Sequence, residues 1–201
     1  FSPTSAIAYT GSISIPNNDI SGSENPYIIN FTGIGRNSIL SDIITSGGEA
    51  VIVPSIENDP AINTTADGIK VWDFTIRDGG SSSPDSDTFA TIVNSLTITQ
   101  GVGNQVDDWA DAILAVAIFD GTTKIADGVV STNQIVFSGA PLISVPDNGS
   151  KTLSVRLSVQ TSPNDSGSNT DGDVFVFSLT KANAIGDAAG SQFTNFSVAT
   201  S

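Results

Sequence analysis

The sequence predicts an all-β protein: a partial hairpin followed by an antiparallel β-sandwich. Three observations carry that expectation. The apolar residues are mainly Val, Ile and Phe, which fit a pleated, half-buried surface better than a helix. Short runs with period-2 alternation recur along the chain. Between them stand turn signals such as Asp78-Gly79-Gly80, Asp120-Gly121, Asp127-Gly128, Asp147-Asn148-Gly149 and Asp171-Gly172.

The first strand is expected at residues 8–15, with Tyr9, Gly11, Ile13 and Ile15 on one side. A polar connection runs from Pro16 to Pro26, and residues 27–31 form the second strand, ended by Gly33 and Gly35. A lone two-stranded hairpin is marginal in water, so this unit calls for a third strand or a partner sheet. It is expected to be the last part of a domain whose earlier strands are absent, giving a first unit over 1–36 and a sandwich over 37–201. Residues 34–46 would be the joint between them.

In the second unit, strands are expected at 50–56, 69–77, 90–99, 114–119, 123–130, 134–137, 142–145, 150–159, 174–180 and 193–198. Many short strands at regular spacing indicate a jelly-roll or immunoglobulin-like sandwich. One helical turn is expected at 106–113, where Val106, Trp109, Ala110 and Ile113 share a face and Asp107, Asp108 and Asp111 face outward.

Composition narrows the function. Acidic residues number 21 against 7 basic, a net charge of −14, so neither a nucleic-acid backbone nor an anionic membrane surface would find a basic patch. No run approaches the roughly 18 apolar residues that would cross a bilayer as a helix. The chain has no Cys, Met or His. A Ser–His–Asp or Cys–His device and a disulfide are therefore ruled out, and a Zn2+ centre loses its usual ligands. No leader peptide is legible, and if the protein is exported its signal is expected upstream of Phe1.

Two stretches resemble known families. Phe1-Ser2-Pro3-Thr4, Tyr9-Thr10-Gly11, Asn17-Asn18-Asp19, Asn25-Pro26-Tyr27 and Phe31-Thr32-Gly33-Ile34-Gly35 together resemble the end of the Hydin-like, or choice-of-anchor D, immunoglobulin-like domain. The match spans about the last third of such a domain. Further on, Trp72-Asp73-Phe74-Thr75-Ile76-Arg77-Asp78-Gly79-Gly80, Asp108-Trp109-Ala110-Asp111-Ala112-Ile113, Asp147-Asn148-Gly149-Ser150-Lys151-Thr152-Leu153 and Gly172-Asp173-Val174-Phe175-Val176-Phe177 resemble a β-sandwich repeat of long Bacteroidota surface proteins, which are type IX secretion substrates. The resemblance implies a secreted, bacterial cell-surface location and a structural or adhesive role without catalytic residues. Partners would be neighbouring domains of the same larger protein, and a surface glycan or protein ligand.

Ca2+ is the cofactor the residues suggest. The loop from Asn164 to Asp173 carries Asp165, Asp171 and Asp173, and Asp85 and Asp87 form a second acidic loop. Short-armed carboxylates in turns are hard oxygen ligands suited to Ca2+. The loop lacks the ligand order of an EF-hand, and Asp is equally a turn and N-cap residue, so solvated turns are the competing expectation. Trp72 and Trp109 are the aromatic candidates for stacking on a sugar. Alternation of Trp72, Phe74 and Ile76 favours core packing instead. Burial of both tryptophans would argue against a carbohydrate-binding module. Paired carboxylates for glycoside hydrolysis have no clustered apolar setting to raise a pKa. A strand-exchanging, polymerising subunit is a further alternative. Lys70, Lys124, Lys151 and Lys181 are candidates for isopeptide cross-links, with ordinary surface lysines as the competing expectation.

Overall fold

The computed structural model describes residues 8–18, 26–34, 41–50, 52–53, 58–82, 88–186 and 191–200. The chain divides into two compact units, Phe1–Asn37 and Ser38–Ser201.

The first unit is an antiparallel hairpin of β1 (Ala8–Ile15) and β2 (Tyr27–Ile34), registered from Ala8 opposite Ile34 to Ile15 opposite Tyr27. That register sorts the two faces. Tyr9, Gly11, Ile13 and Ile15 stand opposite Gly33, Phe31, Ile29 and Tyr27, so one face is wholly apolar apart from the tyrosine hydroxyls. The opposite face pairs Thr10 with Thr32 and Ser12 with Asn30. A Cβ at Gly11 would lie 2.5 Å from Phe31 Cζ, so the missing side chain leaves room for the ring to lie across the neighbouring strand.

The second unit is an antiparallel sandwich. One sheet has the order β3 (Asp42–Gly47), β4 (Ile69–Arg77), β10 (Ser150–Val159), β6 (Ile113–Asp120) and β7 (Thr123–Asp127). The other has β15 (Ser197–Ala199), β13 (Phe177–Thr180), β5 (Thr91–Gln100), β9 (Gln134–Val145) and β8 (Val129–Ser131), with β14 (Ala184–Gly186) also pairing β5. A minor pair, β11 (Asn164–Asp165) and β12 (Ser168–Asn169), sits in the long loop after β10. An α-helical turn, α1, spans Trp109–Ala112.

Alternation along the strands builds the core between the sheets. Trp72, Phe74 and Ile76 of β4 and Leu153, Val155 and Leu157 of β10 face Val93, Leu96 and Ile98 of β5 and Ile135, Phe137, Ile143 and Val145 of β9. The chain passes from one sheet to the other at Gly128, between β7 and β8. A Cβ at Gly128 would lie 2.7 Å from Ile135 Cγ2 and Val116 Cγ1 and 2.9 Å from Phe137 Cε1. Only a residue without a side chain can cross the core this closely. The outer face of the first sheet has its own small cluster, in which Ile62 is packed with Ala117 and Phe119. Arg156 holds that covering loop down by donating to the carbonyls of Asp67 and Gly68, at 3.0 and 2.8 Å.

Several boundaries differ from the sequence expectation. The expected joint at 34–46 is partly β3, an edge strand that β4 recruits by pairing Asp42 with Arg77 through Ile44 with Thr75. Residues 50 and 52–53 of the expected strand 50–56 are in no strand, and its remaining residues lie outside those described. The expected strands 134–137 and 142–145 are a single strand, β9. Between the pairs Ser95–Ser138 and Val93–Ile143, residues 139–142 stand opposite Asn94 alone, so an irregularity interrupts the pairing without ending the strand. The expected strand 174–180 enters the sheet only at Phe177. Before it, the backbone amides of Val174 and Val176 donate to the side-chain oxygens of Gln105 and Asn104. Residues 193–198 pair as a strand only from Ser197, since Phe193 makes an isolated parallel bridge with Ser41.

Candidate functional site

A cleft of about 1100 Å³ lies at one end of the sandwich. Five separate stretches meet there. The turn after β3 brings Glu49, Ala50, Ile52 and Val53, while β4 and β10 contribute Val71 and Val159. The loop after β10 brings residues 161–163 and 169–175, and Phe177 and Thr200 close the side of the other sheet. Val71, Val159 and Phe177 belong to the main core, so the floor of the cleft is the end of that core. Ala50, Val53 and Phe175 are partly buried against it, and Ile52 stands 74% exposed at the mouth. Phe175 stacks near-parallel to Phe177 at 6.1 Å. The charged groups on the lining are Glu49, Asp171 and Asp173; it includes no lysine or arginine among the described residues.

The sequence-derived metal residues part company here. Asp171 and Asp173 reach the rim of the cleft as exposed side chains. Asp165 is used differently. Its carboxylate accepts the backbone amides of Asp107 and Asp108, at 3.0 and 2.8 Å, just before α1. Asp108 is the N-cap of that turn and accepts the amide of Ala110 at 3.0 Å. Asp85 and Asp87 lie outside the described residues. Among the described residues, no three His, Cys, Asp or Glu side chains converge as a metal site would require.

Both tryptophans are fully buried. Trp72 packs on Phe74 at 5.3 Å between ring centroids and points its indole N–H at Thr45 Oγ1. Trp109 packs on Phe177 at 5.2 Å and donates to Asn104 Oδ1. Neither ring offers a face to a sugar. Lys70, Lys124 and Lys151 are paired at the surface with Asp73, Asp127 and Asp120.

One carboxylate that the sequence suggested was a turn residue is buried. Asp78 is 3% exposed and accepts the hydroxyl of Thr91 and, at 2.8 Å, the amide of Asn148. Thr91 in turn hydrogen-bonds Ser41, whose carbonyl accepts the amide of Thr194. Asp78 therefore joins strand ends from both sheets, and both its oxygens are committed. Elsewhere, the amides of Thr64 and Asn63 hold the Asp67 carboxyl below the usual carboxylate range. The forked hydrogen bonds of Arg77 to Asp42 hold its guanidinium above its ordinary value.

Fold and site together define an acidic, all-β sandwich with an end cleft. No family model and no curated protein matches the chain. Among solved structures it is similar to AvmM, which catalyses macrocyclization in alchivemycin A biosynthesis. The identity is 12% over 81% of this chain and 87% of that one, at a TM-score of 0.34, too low to carry any argument about shape or activity.

Proposed function

We propose that this chain is a non-catalytic structural or adhesive part of a larger, secreted cell-surface protein built of β-sandwich modules. The observation that carries the proposal is the uncovered apolar face of the hairpin. Ile13, Ile15, Tyr27, Ile29 and Phe31 are 43–55% exposed. The strands that bear them contain no charged residue, in a chain of net charge −14. Covering those five side chains would remove on the order of 400 Å² of apolar surface from water, about 10 kcal/mol at ~25 cal/mol per Å² as an upper bound. A face of that kind is half of a sandwich, and it is completed by further strands. The resemblance of residues 1–35 to the end of a Hydin-like domain supports the same reading, with neighbouring domains as the first partners.

The test is immunoblotting of fractionated source cells with an antibody raised to the second unit. The reading expects a band well above 20.6 kDa in the surface or secreted fraction. A band at that mass confined to the cytoplasm overturns it.

A further inference from the structure

We infer that the end cleft is a binding site for a cationic ligand with an apolar or aromatic body, an ammonium or guanidinium head carried on a ring or hydrocarbon stem. Two features of the cleft specify the two halves of that ligand. The floor is the end of the hydrophobic core, where Val71, Val159 and Phe177 are buried and Val53 and Phe175 stand partly buried beside them. A volume of about 1100 Å³ suits a small organic molecule or a single large side chain with its flanks. The rim carries exposed carboxylates, Asp171 and Asp173, which reach it from the loop after β10.

Phe175 and Phe177 follow Asp171 and Asp173 closely in sequence, whereas Val53, Val71 and Val159 come from other elements, so the tertiary structure completes the floor beneath these acids. The nearest lysine in sequence to the floor residue Val71 is Lys70, and it is held by Asp73 at 2.7 Å. A neutral ligand would fill the floor and leave the rim unused. An anion would meet the carboxylates of Asp171 and Asp173. A cation on an apolar stem satisfies both, with its stem on the floor and its head at the rim.

The experiment is a titration of the whole chain with three probes of one shape: tryptamine, N-acetyltryptamine and indole-3-propionate. Binding is followed by the methyl NMR signals of Val53, Val71 and Val159. At low salt, tryptamine should shift these signals and bind about 5- to 30-fold more tightly than the neutral N-acetyl compound, as expected of two carboxylates contributing roughly 1 kcal/mol each at a solvated rim. The anion should not bind. The double variant D171N/D173N should bring tryptamine close to the neutral probe, and raising the ionic strength to about 0.3 M should do the same in the unaltered protein. Equal binding of the cationic and neutral probes overturns the inference. So does an absence of shifts at the three valines, or tryptamine shifts confined to other acidic loops. The salt series needs no variant, so it decides the matter even where a substitution disturbs the fold.

Discussion

Replacing Asp165 with alanine removes the acceptor for two backbone amides at once. Its oxygens lie 3.0 and 2.8 Å from the amides of Asp107 and Asp108. The first of these contacts is exposed and the second part-buried. An amide left facing water regains a partner, whereas a part-buried one regains it only in part. A net hydrogen bond is worth about 0.5–1.5 kcal/mol and more with a charged acceptor, so the pair should stabilise the unit by about 1–2 kcal/mol. In a domain of this size each kcal/mol moves Tm by roughly 2–4 °C, and the expected fall is about 2–8 °C. Asp165→Asn keeps one acceptor oxygen and should lose about half as much. The assay is calorimetric melting of the unaltered chain and both variants, each with millimolar Ca2+ and with EDTA. Structural support of the helical turn predicts the same Tm in both buffers. A Ca2+ ligand predicts a higher Tm with Ca2+, abolished equally by alanine and asparagine. An Asp165→Ala variant that melts with the unaltered chain would refute the capping argument. A Ca2+-dependent rise lost in that variant would refute it as well.

Other perturbations test the fold's close contacts. Gly128→Ala drives a methyl between Ile135, Val116 and Phe137 at the sheet crossing, and should cost about 1–3 kcal/mol, read as a lower urea midpoint at unchanged slope. Ile62→Ala empties the small outer cluster and should cost about 2–3 kcal/mol, with amide exchange rising in residues 58–68 before the strands. Because the folded-state pKa of Asp67 is depressed, its contribution is fully present above the ordinary carboxylate pKa and is lost as pH falls through the lower folded value. Melting in acid should show that loss, and Asp67→Asn should flatten it; equal pH dependence in the two proteins would dismiss the loop's hydrogen bonds as its source. Ile13→Ser with Ile29→Ser should cut the fluorescence of a bound apolar dye while the second unit melts unchanged, and persistent dye binding would show that the hairpin face is not the exposed surface.

Much of the fold was legible in the residues. Strand β4, with Trp72, Phe74 and Ile76 inward, and β10, with Leu153, Val155 and Leu157 inward, match their expected limits because alternation and flanking turns agree there. Turns at Gly121 and at Asn148-Gly149 were equally plain, as positive φ at Gly121 and Asn148 confirms. Edge strand β3 was missed. Asp42–Gly47 is short, ends in Gly47, and gains its strand character from pairing with β4. For the candidate site, the sequence suggested Asp171 and Asp173 as Ca2+ ligands, and the structure places both on the lining of the end cleft. Glu49 and Phe175 carried no comparable signal, because the cleft is assembled from five stretches spread over some hundred and fifty residues.

By itself the sequence determined the all-β class and the inward-facing aromatic and branched residues. These follow from local rules: the period of the pleat, the backbone freedom of turn residues, and the composition itself. Only the tertiary structure decided which acids are structural and which face a cleft. Asp78 is buried between strand ends, Asp165 serves two amides, and Asp171 and Asp173 stand at a rim, although all four look alike as turn aspartates. The physical reason is that a carboxylate's role depends on the donors around it, and those donors arrive from strands and loops far away in the chain.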